Sequence, residues 1–261
     1  MEVAVYQCAL GGSDMDTRLQ RLDQALRDPK AAKAELVVCP ELFMSGYNVG
    51  DALKRLAELA GGPFAQAVAK LARRHGKAIL YGYPELEGEG IYNSAACYGR
   101  DGALLANHRK LVLPPGFESN YFQRGDRVTF FTLGGFKFAL LVCYDAEFPE
   151  AVRIVVQQGA QVVLAPTALK KIWESVATRM MPTRAFENGV YFIYANHAGR
   201  EGEVEYLGGS CIVGPDGEDA ARAGVGEEVI SAALDAEAVK KAQARLPYLS
   251  DLAQLAPIVG R

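Results

Sequence analysis

Short strand-like runs alternate with segments of helical period along most of this chain, and that alternation limits the possible fold more than any other feature. The strand-like runs are apolar or rich in β-branched and aromatic side chains, and they lie at residues 2–8, 36–39, 78–83, 161–165 and 191–195. The segments with helical spacing of apolar side chains lie at residues 16–27, 52–59, 64–75, 148–158, 173–186 and 236–245. We predict an α/β fold, with Pro182 as a kink or break in its helix.

Turn signals divide several further strand-like segments. Gly99-Arg100-Asp101-Gly102 separates residues 92–98 from 103–110, and Gly134-Gly135 separates 128–133 from 136–142, so each predicts a β-hairpin. A third turn, Pro215-Asp216-Gly217, lies between residues 211–213 and 229–234. Two hairpin-rich halves joined by helices predict one layered sandwich domain over residues 1–261. Residues 246–261 have no strong period, and we expect this tail to pack on the body or on a partner.

Charge and composition argue against several classes of function. The 28 basic and 31 acidic side chains give a net charge of −3, whereas nucleic-acid-binding domains usually carry a basic excess. The apolar runs are far shorter than the roughly 20 residues that span a bilayer, and the amino terminus does not resemble a signal peptide. Five cysteines form an odd set in a chain long enough to build a core, which favours a reducing, cytoplasmic location. The scattered histidines give no metal motif, so we expect neither a metal nor another cofactor.

Two charged residues follow predicted strands. Glu41 comes just after a buried strand, where ligands gather in open α/β sheets and where partial burial raises a carboxyl pKa toward that of a useful base. Spacing alone favours a turn acid or a helix N-cap. Lys110 lies in a basic segment at a strand end, which is equally typical of a solvated sheet edge.

Cys143 has a different context from the other cysteines. It ends an apolar strand, and a helix opens after Pro149, so backbone N–H groups can stabilise a thiolate and a developing oxyanion there. The other four cysteines lie in predicted strands or hairpins, and we expect them only to pack: Cys8, Cys39, Cys97 and Cys211.

Three motifs, each at a predicted strand end, together resemble the nitrilase superfamily of carbon–nitrogen hydrolases. They are Cys39-Pro40-Glu41-Leu42-Phe43, His108-Arg109-Lys110-Leu111, and Cys143-Tyr144-Asp145-Ala146-Glu147-Phe148-Pro149-Glu150. The resemblance implies a four-layer α-β-β-α sandwich that dimerises by stacking two sandwiches. It also implies a Glu41–Lys110–Cys143 triad that works without a metal.

The resemblance assigns a role to each polar group. Cys143 attacks an amide carbon, and Glu41 takes the thiol proton and later activates water. Lys110 lies near the tetrahedral oxygen, beside the backbone N–H of Tyr144. Glu118 matches the position of a second glutamate in the family, which positions the substrate or holds Lys110. Its sequence context is also typical of an acidic residue in a surface loop.

Within the superfamily, the chain resembles small aliphatic amidases of the 5-aminopentanamidase type. Tyr144-Asp145 follows the cysteine where true nitrilases usually have Trp-Glu, which favours amides over nitriles. Glu147 replaces an arginine common among relatives, and with the acidic run Glu201, Glu203 and Glu205 it favours a substrate whose far end is cationic or neutral. Glu147 is also suited to pair with an arginine or to cap the next helix.

We expect four residues to bind the small-molecule substrate, namely Tyr47, Tyr144, Glu147 and Ala168. Other activities of the superfamily are open as alternatives, either N-carbamoyl-amine hydrolysis or ω-amidase activity on dicarboxylate monoamides. A binding protein that kept the fold and a thiol redox protein using Cys143 are alternatives from other classes.

Overall fold

The computed structural model describes residues 1–9 and 11–259, and two six-stranded sheets form its centre. The first sheet contains β1 (Glu2–Gln7), β2 (Leu36–Val38), β3 (Ala78–Glu87), β4 (Gly90–Tyr98), β5 (Leu104–Arg109) and the late strand β14 (Glu228–Ala233). Its spatial order is β14-β1-β2-β3-β4-β5. Strands β1, β2 and β3 are parallel, whereas β4, β5 and β14 pair antiparallel with their neighbours.

The second sheet contains β6 (Thr129–Leu133), β7 (Phe136–Leu140), β8 (Val162–Pro166), β9 (Tyr191–Ala195), β12 (Cys211–Val213) and β13 (Asp219–Arg222). Its order is β13-β12-β9-β8-β7-β6, with β7, β8 and β9 parallel. A separate two-stranded ribbon is formed by β10 (Arg200–Glu201) and β11 (Val204–Glu205). Each sheet therefore has a parallel centre, and the strands at that centre end at a common edge.

Helices cover the outer faces of the sheets. The α-helices are α1 (Met15–Ala25), α2 (Leu53–Leu56), α3 (Pro63–His75), α4 (Phe117–Tyr121), α5 (Pro149–Gln157), α6 (Met181–Asn188), α7 (Ala236–Arg245) and α8 (Tyr248–Val259). Of these, α1 and α3 cover the first sheet, and α5 and α6 cover the second. Helix α1 begins where Asp14 Oδ1 accepts a hydrogen bond from the Thr17 N–H at 2.7 Å. Helix α3 ends at Gly76, whose φ of 64° lies in the left-handed region that glycine adopts without a steric cost.

The apolar side chains form three layers of core. One layer lies between the sheets, with residues such as Val5 and Leu36 facing Phe138 and Leu164. A second lies between the first sheet and helices α1 and α3, and a third lies between the second sheet and helices α5 and α6. The predicted four-layer α-β-β-α sandwich is confirmed.

The third turn signal does not join the segments expected on its two sides. After Pro215-Asp216-Gly217, β12 pairs with β13 at Asp219–Arg222, whereas Glu228–Ala233 pairs with β1 in the other sheet. Strand β13 is polar and partly exposed, so it lacks the apolar signal of a strand. The more apolar segment further on was therefore mistaken for its partner.

Several helix boundaries also differ from the predictions. The segment 52–59 forms only the four-residue α2, and 173–186 is divided between a π-helical turn at Val176–Met180 and α6. Pro182 lies directly after the π-helical turn, in a helical run that continues from residue 174 to 188, so it interrupts the regular α-helical pattern and does not break the helix. The five-residue α4 was not predicted. No helix within residues 1–9 and 11–259 is long and apolar enough to cross a membrane.

The carboxyl-terminal segment is helical despite its weak period. The Tyr248 ring meets the edge of Phe186 on α6 at 6.4 Å, and Leu249 packs against the outer core. The start of the tail therefore packs on the body of the same chain. Residues 260–261 lie outside the described residues.

Candidate active site

Glu41 lies in a turn that follows β2 and packs directly on β3. The Gly82 N–H donates to the Pro40 carbonyl at 3.1 Å, and the Gly82 carbonyl accepts from Met44 N–H at 3.0 Å. A Cβ at Gly82 would lie 2.3 Å from the Leu42 nitrogen, so only glycine permits this close approach. The turn buries the Glu41 side chain completely.

Lys110 follows β5 directly and joins two carboxylates. Its Nζ lies 2.7 Å from Oε1 of Glu41 and 2.7 Å from Oε1 of Glu118, which comes from α4. The lysine is fully buried and Glu118 is 1% exposed. The interpretations of Lys110 as a solvated edge and Glu118 as a surface-loop acid are therefore wrong.

Asn93 and Tyr47 hold the two carboxylates in place. The Asn93 amide donates to Oε1 of Glu41 at 2.7 Å and to Oε2 of Glu118 at 3.2 Å. The Tyr47 hydroxyl donates to Oε1 of Glu118 at 2.8 Å. Oε2 of Glu41 has no hydrogen-bond partner among the described protein atoms. One oxygen of this carboxyl group is therefore fixed, while the other is available for proton transfer.

Cys143 stands at the end of the second sheet, just beyond β7. It opens a 3₁₀ turn with a φ of 47°, a left-handed conformation that is uncommon for a residue other than glycine. Such strain persists only where the surroundings enforce it, and it is frequent at functional sites. The Cys143 Sγ lies 2.9 Å from Oγ1 of Thr167, which follows β8.

Asp145 connects the cysteine turn to the segment after Lys110. Its buried carboxylate accepts hydrogen bonds from the N–H groups of Leu111 at 3.1 Å, Val112 at 2.8 Å and Val142 at 3.1 Å. Sequence reasoning treated Asp145 only as part of the cysteine motif. The hydrogen bonds show that it holds the two strand ends together across the sheets.

His197 is distant from Glu41 in sequence but contacts its backbone, and sequence patterns do not reveal this contact. Its Nε2–H donates to the Glu41 carbonyl at 2.7 Å, and its Nδ1 lies 3.4 Å from Sγ of Cys8. Burial lowers the pKa of His197 to about 4, so the ring is neutral near pH 7. Cys8 packs in the core beside this ring, as expected for a cysteine without a catalytic context.

A cavity of about 480 Å³ opens beside Cys143 and Glu118. All four predicted substrate-binding residues line it, namely Tyr47, Tyr144, Glu147 and Ala168. Its wall also contains apolar side chains that the sequence did not single out, among them Phe117, Leu169, Trp173, Val176 and Val204. Lys170 contributes a positive charge to the same wall.

Glu147 contacts an arginine only through the Glu147 backbone carbonyl. Arg184 Nη2 donates to the Glu147 carbonyl at 2.8 Å, while its Nη1 pairs with Glu187 at 3.1 Å. Among the described residues, the Glu147 carboxylate has no ion pair. Burial raises the pKa of this carboxyl group, although Lys110 and Arg184 partly oppose the rise.

The acidic run does not line the cavity, so it gives no support to a cationic substrate. Glu201 is buried and accepts hydrogen bonds from the backbone of Tyr47 at 3.1 Å and Asn48 at 2.7 Å. Glu205 is exposed and pairs with Lys171 at 2.8 Å. Glu201 therefore fixes the loop that carries Tyr47, and Glu205 forms a surface ion pair. Of the acids proposed to act on substrate charge, Glu147 is the one that lines the cavity.

Burial and neighbouring charges shift the pKa values of the titratable groups of the site. Burial raises the pKa of Glu41 to about 7, against the opposing charge of Lys110. Burial alone would lower the pKa of Lys110, but the charges of Glu41, Cys143 and Glu118 raise it above its usual value. Burial and the Glu41 charge raise the pKa of Cys143, so the resting thiol needs a base to remove its proton.

Among the described residues, no group of three or more His, Cys, Asp and Glu side chains is arranged to hold a metal ion. The arrangement offers instead a thiol, a carboxyl base with a raised pKa and a fixed ammonium at one end of the cavity. These groups can carry out nucleophilic attack on a carbonyl carbon with charge stabilisation.

A family model for carbon-nitrogen hydrolases matches residues 2–244 of this chain. The chain belongs to the carbon-nitrogen hydrolase family. A protein described as "Hydrolase in pqqF 5'region" of Pseudomonas protegens is 42% identical, over 96% of this chain and 88% of that protein. An (R)-stereoselective amidase of Pseudomonas sp. is 33% identical, over 96% of this chain and 91% of that protein.

Solved structures of this hydrolase family agree with the fold. An amidase of Nesterenkonia sp. has a TM-score of 0.85 and 33% identity, with 94% of this chain and 94% of that chain covered. Further relatives of 30–33% identity are described as omega-amidases and nitrilases. The predicted membership of the nitrilase superfamily and the predicted hydrolase class are both confirmed.

Proposed function

We propose that this hydrolase is an amidase that cleaves a small linear aliphatic amide to a carboxylate and ammonia through a Cys143 thioester. The observation that carries the proposal is the buried contact of Lys110 with Glu41 and Glu118 beside Cys143, at one end of a cavity. A nucleophile, a base and a fixed positive charge thus meet at a single place.

The first half of the reaction forms the thioester. Oε2 of Glu41 takes the Cys143 proton as Sγ attacks the amide carbon, and negative charge develops on the amide oxygen. Lys110 and the backbone N–H of Tyr144 stabilise this oxyanion. The proton on Glu41 then passes to the amide nitrogen, the carbon–nitrogen bond breaks, and ammonia leaves.

The second half releases the acid. Glu41, now ionised again, takes a proton from water as the water oxygen attacks the thioester carbon. The carbon–sulfur bond breaks, the proton on Glu41 returns to Sγ, and the carboxylic acid leaves as its carboxylate. Among the structures of the Nesterenkonia amidase, one shows acrylamide added at its active-site cysteine, which supports a cysteine nucleophile here.

The cavity supports a short substrate with an apolar middle. Phe117, Trp173 and Val176 offer apolar contacts to an alkyl chain. Glu147 adds an acid that no arginine side chain neutralises within the described residues. These features favour an ω-amino amide or a neutral amide, with 5-aminopentanamide as the model compound.

Lys170 favours a second candidate, an ω-amidase for dicarboxylate monoamides. Its exposed ammonium lies on the cavity wall and could pair with a carboxylate at the far end of a substrate. N-carbamoyl amines are a third possibility, since a ureido carbonyl can undergo the same attack. The relative positions of Glu147 and Lys170 along a bound substrate decide between these candidates.

Ammonia release from a panel of compounds tests the proposal. The panel contains 5-aminopentanamide, 4-guanidinobutanamide, glutaramate, N-carbamoylputrescine, simple aliphatic amides and nitriles, each tested against the wild type and Cys143→Ala. We expect amides to be cleaved by the wild type alone. If no compound releases ammonia while peroxide oxidises Cys143 rapidly, the redox alternative replaces the amidase. The homodimer stays a prediction.

A further inference from the structure

Three side chains of the second sheet form a chain of contacts that ends on the proposed nucleophile. Thr167 Oγ1 lies 2.9 Å from Sγ of Cys143 and 3.0 Å from the hydroxyl oxygen of Tyr194. Thr167 and Tyr194 are both completely buried. The Thr167 N–H donates to the Ala195 carbonyl at 2.8 Å, which fixes the threonine backbone beside β9.

The number of protons decides the direction of these hydrogen bonds. A threonine hydroxyl has one proton, so Thr167 cannot donate to both neighbours at once. The part of the chain that the structure describes offers the Tyr194 hydroxyl no partner other than Thr167. If Thr167 donated to Tyr194, the phenolic proton would be buried without an acceptor, at a cost in free energy. The favourable arrangement therefore has Tyr194 donating to Thr167, and Thr167 donating to the sulfur.

We propose that Thr167 is a catalytic residue whose hydroxyl, oriented by Tyr194, donates a hydrogen bond to Cys143 Sγ and stabilises the thiolate. This inference rests on the proposed role of Cys143 as the nucleophile. Thr167 keeps its own proton throughout, because the thiol proton passes to Glu41. Thr167 thus lowers the cost of separating charge between Sγ and Glu41 without taking part in proton transfer.

The surroundings of the sulfur disfavour its thiolate, so a hydrogen-bond donor there is stabilising. Burial raises the pKa of Cys143, and the nearby carboxylates Glu41 and Glu118 raise it further. Lys110 opposes them, and so does the hydrogen bond from Thr167. Tyr47 and Tyr194 also interact electrostatically with Cys143, and burial raises the pKa of both hydroxyls, so they are neutral. Lys110 is shared between two carboxylates, so a neutral donor from the opposite sheet adds stabilisation that the lysine does not supply alone.

Alkylation of Cys143 by 2-iodoethanol, a small reagent that contains no amide group, measures its thiolate without any amide substrate. The rate is followed by mass spectrometry of the Cys143 peptide across a range of pH, and Cys143→Ala gives the background from the other cysteines. In Thr167→Val, which keeps the shape, we expect the thiol pKa to rise and the rate at neutral pH to fall by about 10- to 100-fold. Thr167→Ser should restore most of the rate, and Tyr194→Phe should show a smaller loss.

Tyr81→Phe is the matched control. The Tyr81 hydroxyl is buried without a hydrogen-bond partner among the described residues, so its removal should leave the alkylation rate unchanged. If Thr167→Val does not fold, Thr167→Ala takes its place in the alkylation experiment. A wild-type alkylation rate in Thr167→Val would overturn the inference. So would a loss of rate in Thr167→Ser as large as the loss in Thr167→Val. If the variants are alkylated at the expected rates but the wild type hydrolyses no amide, the result would instead refute the proposed function alone.

Discussion

The carboxylate of Asp145 accepts a hydrogen bond from the backbone N–H of Val112 at 2.8 Å, and this contact ties the nucleophile turn to the segment that follows Lys110. The two strand ends belong to different sheets. Asp145 therefore fixes the distance between a proposed nucleophile and a proposed oxyanion donor without touching the substrate.

Asp145→Asn should lower both the rate and the stability. An amide presents an NH₂ group where the carboxylate accepted backbone N–H bonds, and losing such buried charge-assisted bonds costs about 1.5–3 kcal/mol. We expect kcat to fall about 10-fold or more with a smaller change in KM. Steady-state kinetics and denaturant unfolding measure the two effects. Asp14→Asn, which keeps a helix N-cap far from the cavity, is the control. An unchanged kcat in Asp145→Asn would show that the contact is only structural.

Cys143→Ala should abolish turnover and leave the fold intact, because alanine fits a partly exposed turn at a strand end. Cys143→Ser should also be nearly inactive, since an alkoxide is much harder to form than a thiolate. Cys39→Ala is the matched control, because Cys39 is completely buried in the core behind the first sheet. It should lower the melting temperature and keep the turnover rate. Loss of turnover in Cys39→Ala with normal melting would identify a different essential thiol.

The pH dependence of kcat/KM should show an acid limb near the pKa of Glu41. Only the ionised carboxylate can take the thiol proton, so the rate should fall as the pH decreases through about 7. Glu41→Gln should reduce the rate by about 10²–10⁴-fold and remove this limb from the residual activity. A wild-type profile that stays flat down to pH 5 would rule out Glu41 as the base.

The same raised pKa has a consequence for stability. The folded state binds the Glu41 proton more tightly than the unfolded state, so the contribution of this group to stability is full below its unfolded pKa and decreases as the pH rises through about 7. Glu41→Gln resembles the protonated form. Its melting temperature should therefore exceed that of the wild type above pH 7, and the difference should shrink in mild acid.

Lys110→Ala should remove activity and destabilise the chain. It leaves Glu41 and Glu118 buried without their shared cation, and breaking a buried ion pair in this way costs about 3–5 kcal/mol. The loss should be smaller in mild acid, where the Glu41 carboxylate, whose pKa burial raises, can be protonated. Urea unfolding at pH 5 and pH 8 measures this difference. If the variant folds normally and only KM rises, Lys110 is a substrate anchor and not an oxyanion donor.

Glu147 should set the preference for the charge of the substrate. We expect 5-aminopentanamide to exceed glutaramate in kcat/KM by about two orders of magnitude, because an unpaired charge in a partly buried site shifts binding by a few kcal/mol. Glu147→Gln should reduce that ratio. Lys170→Gln, on the same cavity wall, should change the ratio in the opposite direction. A wild-type preference for glutaramate would overturn the cationic interpretation and favour the ω-amidase.

Residues next to strand ends were predictable, whereas their supporting contacts were not. Glu41, Lys110 and Cys143 each lie at the end of a predicted strand, in motifs that a known superfamily shares. The structure places Glu41 and Lys110 in contact with each other, and Cys143 lies close to both. Asp145 lies in the cysteine motif, whereas Thr167 lies outside all three motifs. Their roles depend on contacts with residues 24 or more positions away in sequence, such as Leu111 and Cys143, which local periodicity does not encode. The pairing of β14 with β1 also joins distant segments, and a turn signal alone could not reveal it.

The division of the site between two sheets links reactivity to complete folding. Glu41 and Lys110 extend from the first sheet, while Cys143 and Thr167 extend from the second. The first sheet is itself unfinished until β14, near the end of the chain, pairs with β1. We therefore expect Cys143 to be an ordinary, weakly nucleophilic thiol in a chain that has not yet paired β14 with β1, because its proposed base and cation come from the sheet that this pairing completes.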